Sequence, residues 1–117
     1  MRYIILLLLS LHILHSDASY NRGETLFFAK ACTSCHGAAA EGSTTYPKLA
    51  NKKEMYLLKK LYYFKKGDVL TVSQQMMAQF IHKLSEQNIK DLAHFLATHK
   101  RVEIDDVADD ILGGFGS

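Results

Sequence analysis

At 117 residues, with 48% hydrophobic and 22% charged side chains and a single Pro, the chain has room for one small domain. That composition excludes a multidomain enzyme, a low-complexity polymer and a disordered coil. The formal net charge of +2 comes with no Lys-rich recognition motif, which argues against nucleic-acid binding.

Met1-Arg2 supplies one positive charge, Tyr3 to Leu14 is almost wholly apolar, and Ser16-Asp17-Ala18 places small residues two apart. A charged start, a short apolar run and a small-x-small exit predict a secretory signal peptide over 1–18, cleaved near Ala18. The competing reading is a retained anchor, but spanning a bilayer takes roughly 20 apolar residues and this run is shorter. The expected product is an exported domain over 19–100 with no stable membrane span, followed by an acidic tail over 101–117.

Charge divides along the same line. Residues 19–100 hold twelve Lys/Arg against six Asp/Glu, net +6, and residues 101–117 hold one Arg against five Asp/Glu, net −4. A basic body with an acidic tail suits charge-guided docking, although a merely soluble surface accounts for it too.

Asn21-Arg22-Gly23-Glu24 predicts a helix start, with Asn21 as cap and Glu24 reaching back to a free N–H, and a short helix running from Arg22 into the cysteine region. Gly37 and Gly42 bracket an irregular loop down to Pro47. Asn51-Lys52-Lys53-Glu54 repeats the capping pattern. Met55, Leu58 and Tyr62, and likewise Leu57, Leu61 and Phe64, recur at helical spacing. Lys65 and Lys66 complement the negative helix end, and Gly67 suits the left-handed cap. Residues 68–84 predict an extended loop with a short helical turn. Ser85 then caps a third helix, with Leu84 and Ile89 placed as a hydrophobic staple. Ile89, Leu92, Ala93 and Leu96 form one apolar stripe, Lys90 and Asp91 are expected to face out, and the helix is expected to end near Lys100. In the tail, Ile104, Val107 and Ile111 are spaced like a helix stripe.

The chain's two cysteines lie in Cys32-Thr33-Ser34-Cys35-His36. This CxxCH pattern is the attachment motif for c-type haem. Two thiols one helical turn apart can both reach one porphyrin edge and add across its two vinyl groups, and the adjacent His is then placed to bind iron. A disulfide between Cys32 and Cys35 accounts for the cysteines, which an oxidising compartment favours, but leaves His36 without a role. A thioredoxin-like redox pair needs a βαβ context that the sequence lacks. A zinc site of Cys32, Cys35, His94 and His99 lacks finger spacing, and positions five apart on a helix do not converge.

The chain resembles the small single-haem class I c-type cytochromes of the bacterial periplasmic kind. The likeness rests on Gly23-Glu24-Thr25-Leu26-Phe27, CTSCH with Gly37, Pro47-Lys48-Leu49-Ala50, and Tyr56-Leu57-Leu58. It continues through Phe64-Lys65-Lys66-Gly67, the pair Met76-Met77, and Leu84-Ser85 leading into Leu92-Ala93-His94-Phe95-Leu96. It implies an all-α cytochrome c-like fold, three main helices and loops wrapped around one covalently attached haem c. It also implies a sixth iron ligand from a Met before the last helix, eight residues before the helix-starting Ser, which falls on Met77. Met76 is the alternative. Both Mets are otherwise core filler, Met55 is expected in the core, and His82 is a possible second imidazole ligand expected instead on the surface. A thioether favours reduced iron relative to a second imidazole. By the same resemblance the Pro47 carbonyl accepts the N–H of the ligating His, and Gly23 lets Phe95 close in where first and last helices touch. No Arg follows Gly67, where the family often has one; Asp68-Val69-Leu70 stands there instead.

The function this predicts is one-electron transfer in the periplasm between redox proteins, with acidic docking surfaces facing the basic body. No catalytic residues are expected, since the iron carries the redox change and the protein supplies ligands, burial and orientation. A fixed haem subunit of a larger dehydrogenase or oxidase is the alternative. A peroxidase-like haem enzyme would need an open sixth position, which Met76-Met77 argues against.

Overall fold

The computed structural model describes residues 18–99 and Tyr3; the signal-peptide reading of 1–18 and the whole acidic tail lie otherwise outside the described residues. Every regular element among them is helical. Residues 18–29 form α1, followed by α2 (Thr33–His36), α3 (Glu54–Lys66), α4 (Val72–His82) and α5 (Glu86–Ala97).

The first helix already includes residue 18, so Asn21 lies inside it and is not its cap. Tertiary contacts hold the earlier turn in place. Tyr20 packs edge-on against Phe95 at 5.1 Å between centroids, and the Ser19 hydroxyl donates to Asp91 at 2.7 Å. The helix gives way after Phe28 and Ala29, with Ala31 in the left-handed region at φ 56°.

The third helix starts at Glu54, but Asn51 does not cap it. Lys53 is the N-cap, without a side-chain bond, and Asn51 is in the left-handed region at φ 59° with its N–H donating to the Leu96 carbonyl at 2.8 Å. That bond satisfies an orphan carbonyl at the end of α5. Of the two apolar stripes on α3, Leu57 and Leu61 are buried, whereas Met55 is 63% exposed and carries no core role. The stop is as the sequence predicts: Gly67 takes φ 83° and its N–H reaches the Tyr63 carbonyl.

The segment read as loop over 68–84 contains instead the eleven-residue helix α4. Its start is a capping box: Thr71 accepts from the Gln74 N–H at 3.2 Å while the Gln74 side chain accepts from the Thr71 N–H at 3.3 Å. The signature Thr71-x-x-Gln74 was legible, and Gln74, Met77, Ala78 and Ile81 form the inward face at helical spacing. At its far end the Lys65 ammonium donates to the carbonyls of His82 and Leu84, which neutralises acceptors the helix leaves unpaired.

Ser85 caps α5, accepting from the Asn88 N–H at 3.0 Å while the Asn88 side chain accepts from Ser85 N–H at 3.1 Å. The helix closes at Ala97, with Thr98 as C-cap, rather than near Lys100. It packs on α3, and α3 in turn packs on α4. The core joins Phe27 of α1, Leu57 and Leu61 of α3, Ile81 of α4, Leu84, and Ile89, Leu92, Ala93, Phe95 and Leu96 of α5. Phe27 and Phe95 meet at 5.6 Å.

Gly23 explains the close approach of α1 to α5. A Cβ there would overlap the Asp91 carbonyl and lie 2.6 Å from the Phe95 Cβ. Asp91 itself corrects the expectation that it faces out: it is 2% exposed. Its carboxylate accepts from Ser19 Oγ, from Arg22 Nε at 2.8 Å and Nη2 at 3.0 Å, and from Gln87 Nε2 at 3.0 Å. Burial alone would push its pKa up; the hydrogen bonds from Arg22, Ser19 and Gln87, with the Arg22 charge, overcome that and hold it below the usual carboxylate value.

Candidate haem site

The site begins where α1 ends. The Cys32 N–H donates to the Phe27 carbonyl at 3.1 Å, so the buried Phe27 ties the first cysteine to the core. Cys32 is the N-cap of α2, and its carbonyl accepts from the His36 N–H at 2.9 Å. One helical turn therefore carries both cysteines and the histidine. Both cysteines are free, half-buried thiols. Burial pushes the Cys32 pKa up and Cys35 adds to this, against a weaker lowering by a backbone hydrogen bond, so near neutral pH the sulfur keeps its proton.

His36 is 5% exposed, the one buried imidazole among the described residues. Its Nδ1 lies 2.9 Å from the Pro47 carbonyl oxygen. A carbonyl can only accept, so Nδ1 carries the hydrogen and the neutral ring keeps its lone pair on Nε2. Such a bond from a ring nitrogen fixes the tautomer and orientation of an imidazole and makes the opposite nitrogen a better ligand.

Pro47 reaches this position because 37–50 is folded back on itself. Gly42 N–H donates to the His36 carbonyl at 2.8 Å, and Ser43 N–H to the Tyr46 carbonyl at 2.8 Å. The Ala40 carbonyl accepts from both Leu49 and Ala50 N–H. Gly42 has φ 70°, and a Cβ there would lie 2.7 Å from the Pro47 carbonyl carbon. Tyr46, which the sequence did not single out, sets its ring edge-on to His36 with centroids 6.4 Å apart. The influence of Cys35 pushes its phenol pKa up. The only hint in the sequence was an aromatic residue directly before Pro47.

Of the two methionines on α4, Met77 is half-buried and packs against the core, while Met76 is 51% exposed. His82 is exposed, as expected, at the end of α4. The zinc set is not assembled: among the described residues no three His, Cys, Asp or Glu side chains are grouped to hold a metal ion. His94 lies 3.5 Å from Glu54, and His99 packs on Phe95 at 5.2 Å. An open groove of about 630 Å³ runs past Phe64, Gly67, Ala78, Phe80 and Lys83, and no CTSCH residue lines it.

These residues fit a covalently held haem. Two reduced thiols one turn apart match its two vinyl groups, and the neighbouring imidazole is buried, pre-oriented and free to offer Nε2. When bound, that group supplies an iron that changes oxidation state by one electron.

Comparison with known proteins points the same way. The family model for cytochrome c matches residues 20–100. Cytochrome c-554(547) of Halothiobacillus neapolitanus is 36% identical over 86 residues, 67% of this chain and 93% of that one. Cytochrome c-552 of Acidithiobacillus ferridurans is 31% identical over 81 residues, and cytochrome c4 of Pseudomonas aeruginosa strain PAO1 is 34% identical over 73 residues. These matches cover 69% and 62% of this chain but only 34% and 35% of those two relatives, so the chain corresponds to about a third of each. With the helical fold, the paired thiols of CTSCH and a match over nearly the whole described region, the chain belongs to the cytochrome c family and is a haem-based electron carrier with one covalently attached haem c.

Proposed function

We propose that the protein is an exported, periplasmic one-electron carrier. Its haem is attached through Cys32 and Cys35, and its iron is ligated by His36 and Met77. The observation that carries this reading is the 2.9 Å contact of His36 Nδ1 with the Pro47 carbonyl, which leaves Nε2 as the ligating nitrogen. Met77 is preferred to Met76 because a ligand must be held against the protein interior, and Met77 is the half-buried member of the pair. With His36 and Met77 as its ligands, the iron would be favoured as iron(II) by the thioether and would offer no ready place for a substrate, which suits electron transfer rather than oxygen or peroxide chemistry. Export rests on the charged, apolar and small-x-small pattern of 1–18. No helix among the described residues is long and apolar enough to cross a membrane.

Two measurements test the site. Acidified organic solvent should leave the haem on the polypeptide; complete extraction would refute attachment through Cys32 and Cys35. The oxidised protein should show the weak long-wavelength charge-transfer band of Met-ligated iron(III), lost in Met77→Ala and kept in Met76→Ala. Loss of the band in Met76→Ala alone would move the ligand by one residue. For export, the mass of the protein recovered from the periplasmic fraction should correspond to a chain beginning near Ser19.

A further inference from the structure

The Pro47 carbonyl restrains one atom of the His36 ring. A single hydrogen bond to Nδ1 tolerates considerable tilt of the ring plane about that contact. The tilt is met by a second group. Tyr46 lies edge-on to His36, with centroids 6.4 Å apart and planes at 64°. An edge-to-face pair depends on the relative orientation of both rings, so it resists the motion that the hydrogen bond permits.

The placement of Tyr46 is not a by-product of burial, because the residue is 39% exposed. It is held by its own turn. Ser43 N–H donates to the Tyr46 carbonyl at 2.8 Å, and Ser43 Oγ accepts from the Tyr46 N–H at 3.2 Å. A surface ring with its backbone pinned at both polar groups and its edge against His36 is placed for orientation rather than for core packing.

We propose that Tyr46, held by Ser43, is a positioning residue that sets the plane of the His36 imidazole, while Pro47 sets its tautomer. The proposal rests on the reading of His36 as iron ligand. In oxidised low-spin haem the direction of the axial imidazole plane governs how unpaired spin spreads over the porphyrin. Its signature is therefore the pattern of hyperfine-shifted haem-methyl resonances.

The test uses proton NMR of the oxidised holoprotein, in the wild type and in Tyr46→Phe, Tyr46→Leu and Ser43→Ala. Tyr46→Leu should change the order or spread of the haem-methyl resonances, and Tyr46→Phe, which keeps the ring, should restore the wild-type pattern. Ser43→Ala, which keeps the ring but removes the hydroxyl that accepts from the Tyr46 N–H, should move the same resonances in the direction that Tyr46→Leu does. It decides the matter if Tyr46→Leu fails to accumulate. A Tyr46→Leu or Ser43→Ala spectrum superimposable on the wild type overturns the role of Tyr46 and leaves His36 as ligand. Absence of hyperfine-shifted imidazole resonances from the wild-type protein itself overturns the ligand assignment and the proposal with it.

Discussion

A peptide carbonyl, which every residue possesses, orients His36; what matters is that it belongs to Pro47. The ring of Pro47 fixes φ and removes a competing N–H, so the turn presents its carbonyl without an alternative ladder to join. Gly42 makes the same turn possible. Its φ of 70° and the nearness of the Pro47 and Tyr46 backbone leave no room for a side chain. Gly42→Ala should therefore lower stability by about 1–3 kcal/mol, since backbone rather than a flexible side chain has to move. Chemical denaturation of the holoprotein checks this, and an unchanged midpoint would mean that the turn yields freely. The proposed choice of ligand belongs to this scale as well. Met76 and Met77 are adjacent and chemically identical; α4 turns Met77 inward and leaves Met76 exposed, and the preference for Met77 rests on that difference.

Between helices, one missing methyl group decides how α1 meets α5. In an isolated helix Gly23→Ala would help, because Gly costs about 1 kcal/mol relative to Ala. Here the new Cβ meets the Asp91 carbonyl and the Phe95 Cβ, so the expected outcome is a loss of about 1–3 kcal/mol by urea unfolding. A gain in stability would show that α1 can slide. The caps of α4 and α5 are separable contributions. Ser85→Ala removes the acceptor of the Asn88 N–H and should cost about 1 kcal/mol without altering the visible spectrum.

For the molecule as a whole, Asp91 links acid stability to the docking of α1 on α5. Its folded pKa lies below the ordinary value of about 3.9, so its contribution is complete above that value and is lost as pH falls through the lower, folded pKa. Melting temperatures should accordingly fall below about pH 4. Asp91→Asn should be less stable at neutral pH and should flatten that acid-side slope; an unaltered slope would assign the acid sensitivity to other carboxylates. The charge asymmetry also operates at this scale. Lys48, Lys52, Lys53, Lys59 and Lys60 are exposed, whereas Lys65 is engaged by the carbonyls of His82 and Leu84. Electron transfer to an acidic partner should slow as ionic strength rises, because exposed charges are screened beyond roughly 8–10 Å. Stopped-flow rates across a salt series, with and without residues 101–117, measure this. Indifference to salt would mean that docking is apolar.

Attachment chemistry is local, and so it could be read from the chain alone: CTSCH needs only two thiols and an imidazole within one helical turn. The all-helical class, the Gly67 stop and the Ser85 cap were legible for the same reason, since each depends on neighbours within four residues. The helix α4 reads as loop in the sequence because its mixed polarity hides it, although Thr71-x-x-Gln74 marks its start. Other features required the tertiary structure. Asp91 is charged, and by residue type belongs outside; only the arrival of Ser19 and Arg22, some seventy positions earlier in the chain, supplies the donors that let it be buried. Asn51 carries a capping side chain, yet its place is decided by the Leu96 carbonyl. Tyr46 looked like an ordinary loop residue until the Gly42–Pro47 turn brought its ring against His36. For Asp91 and Asn51 the deciding partner is distant in sequence, and for Tyr46 it lies beyond the next helical turn; such pairing is settled by packing, which local pattern does not encode.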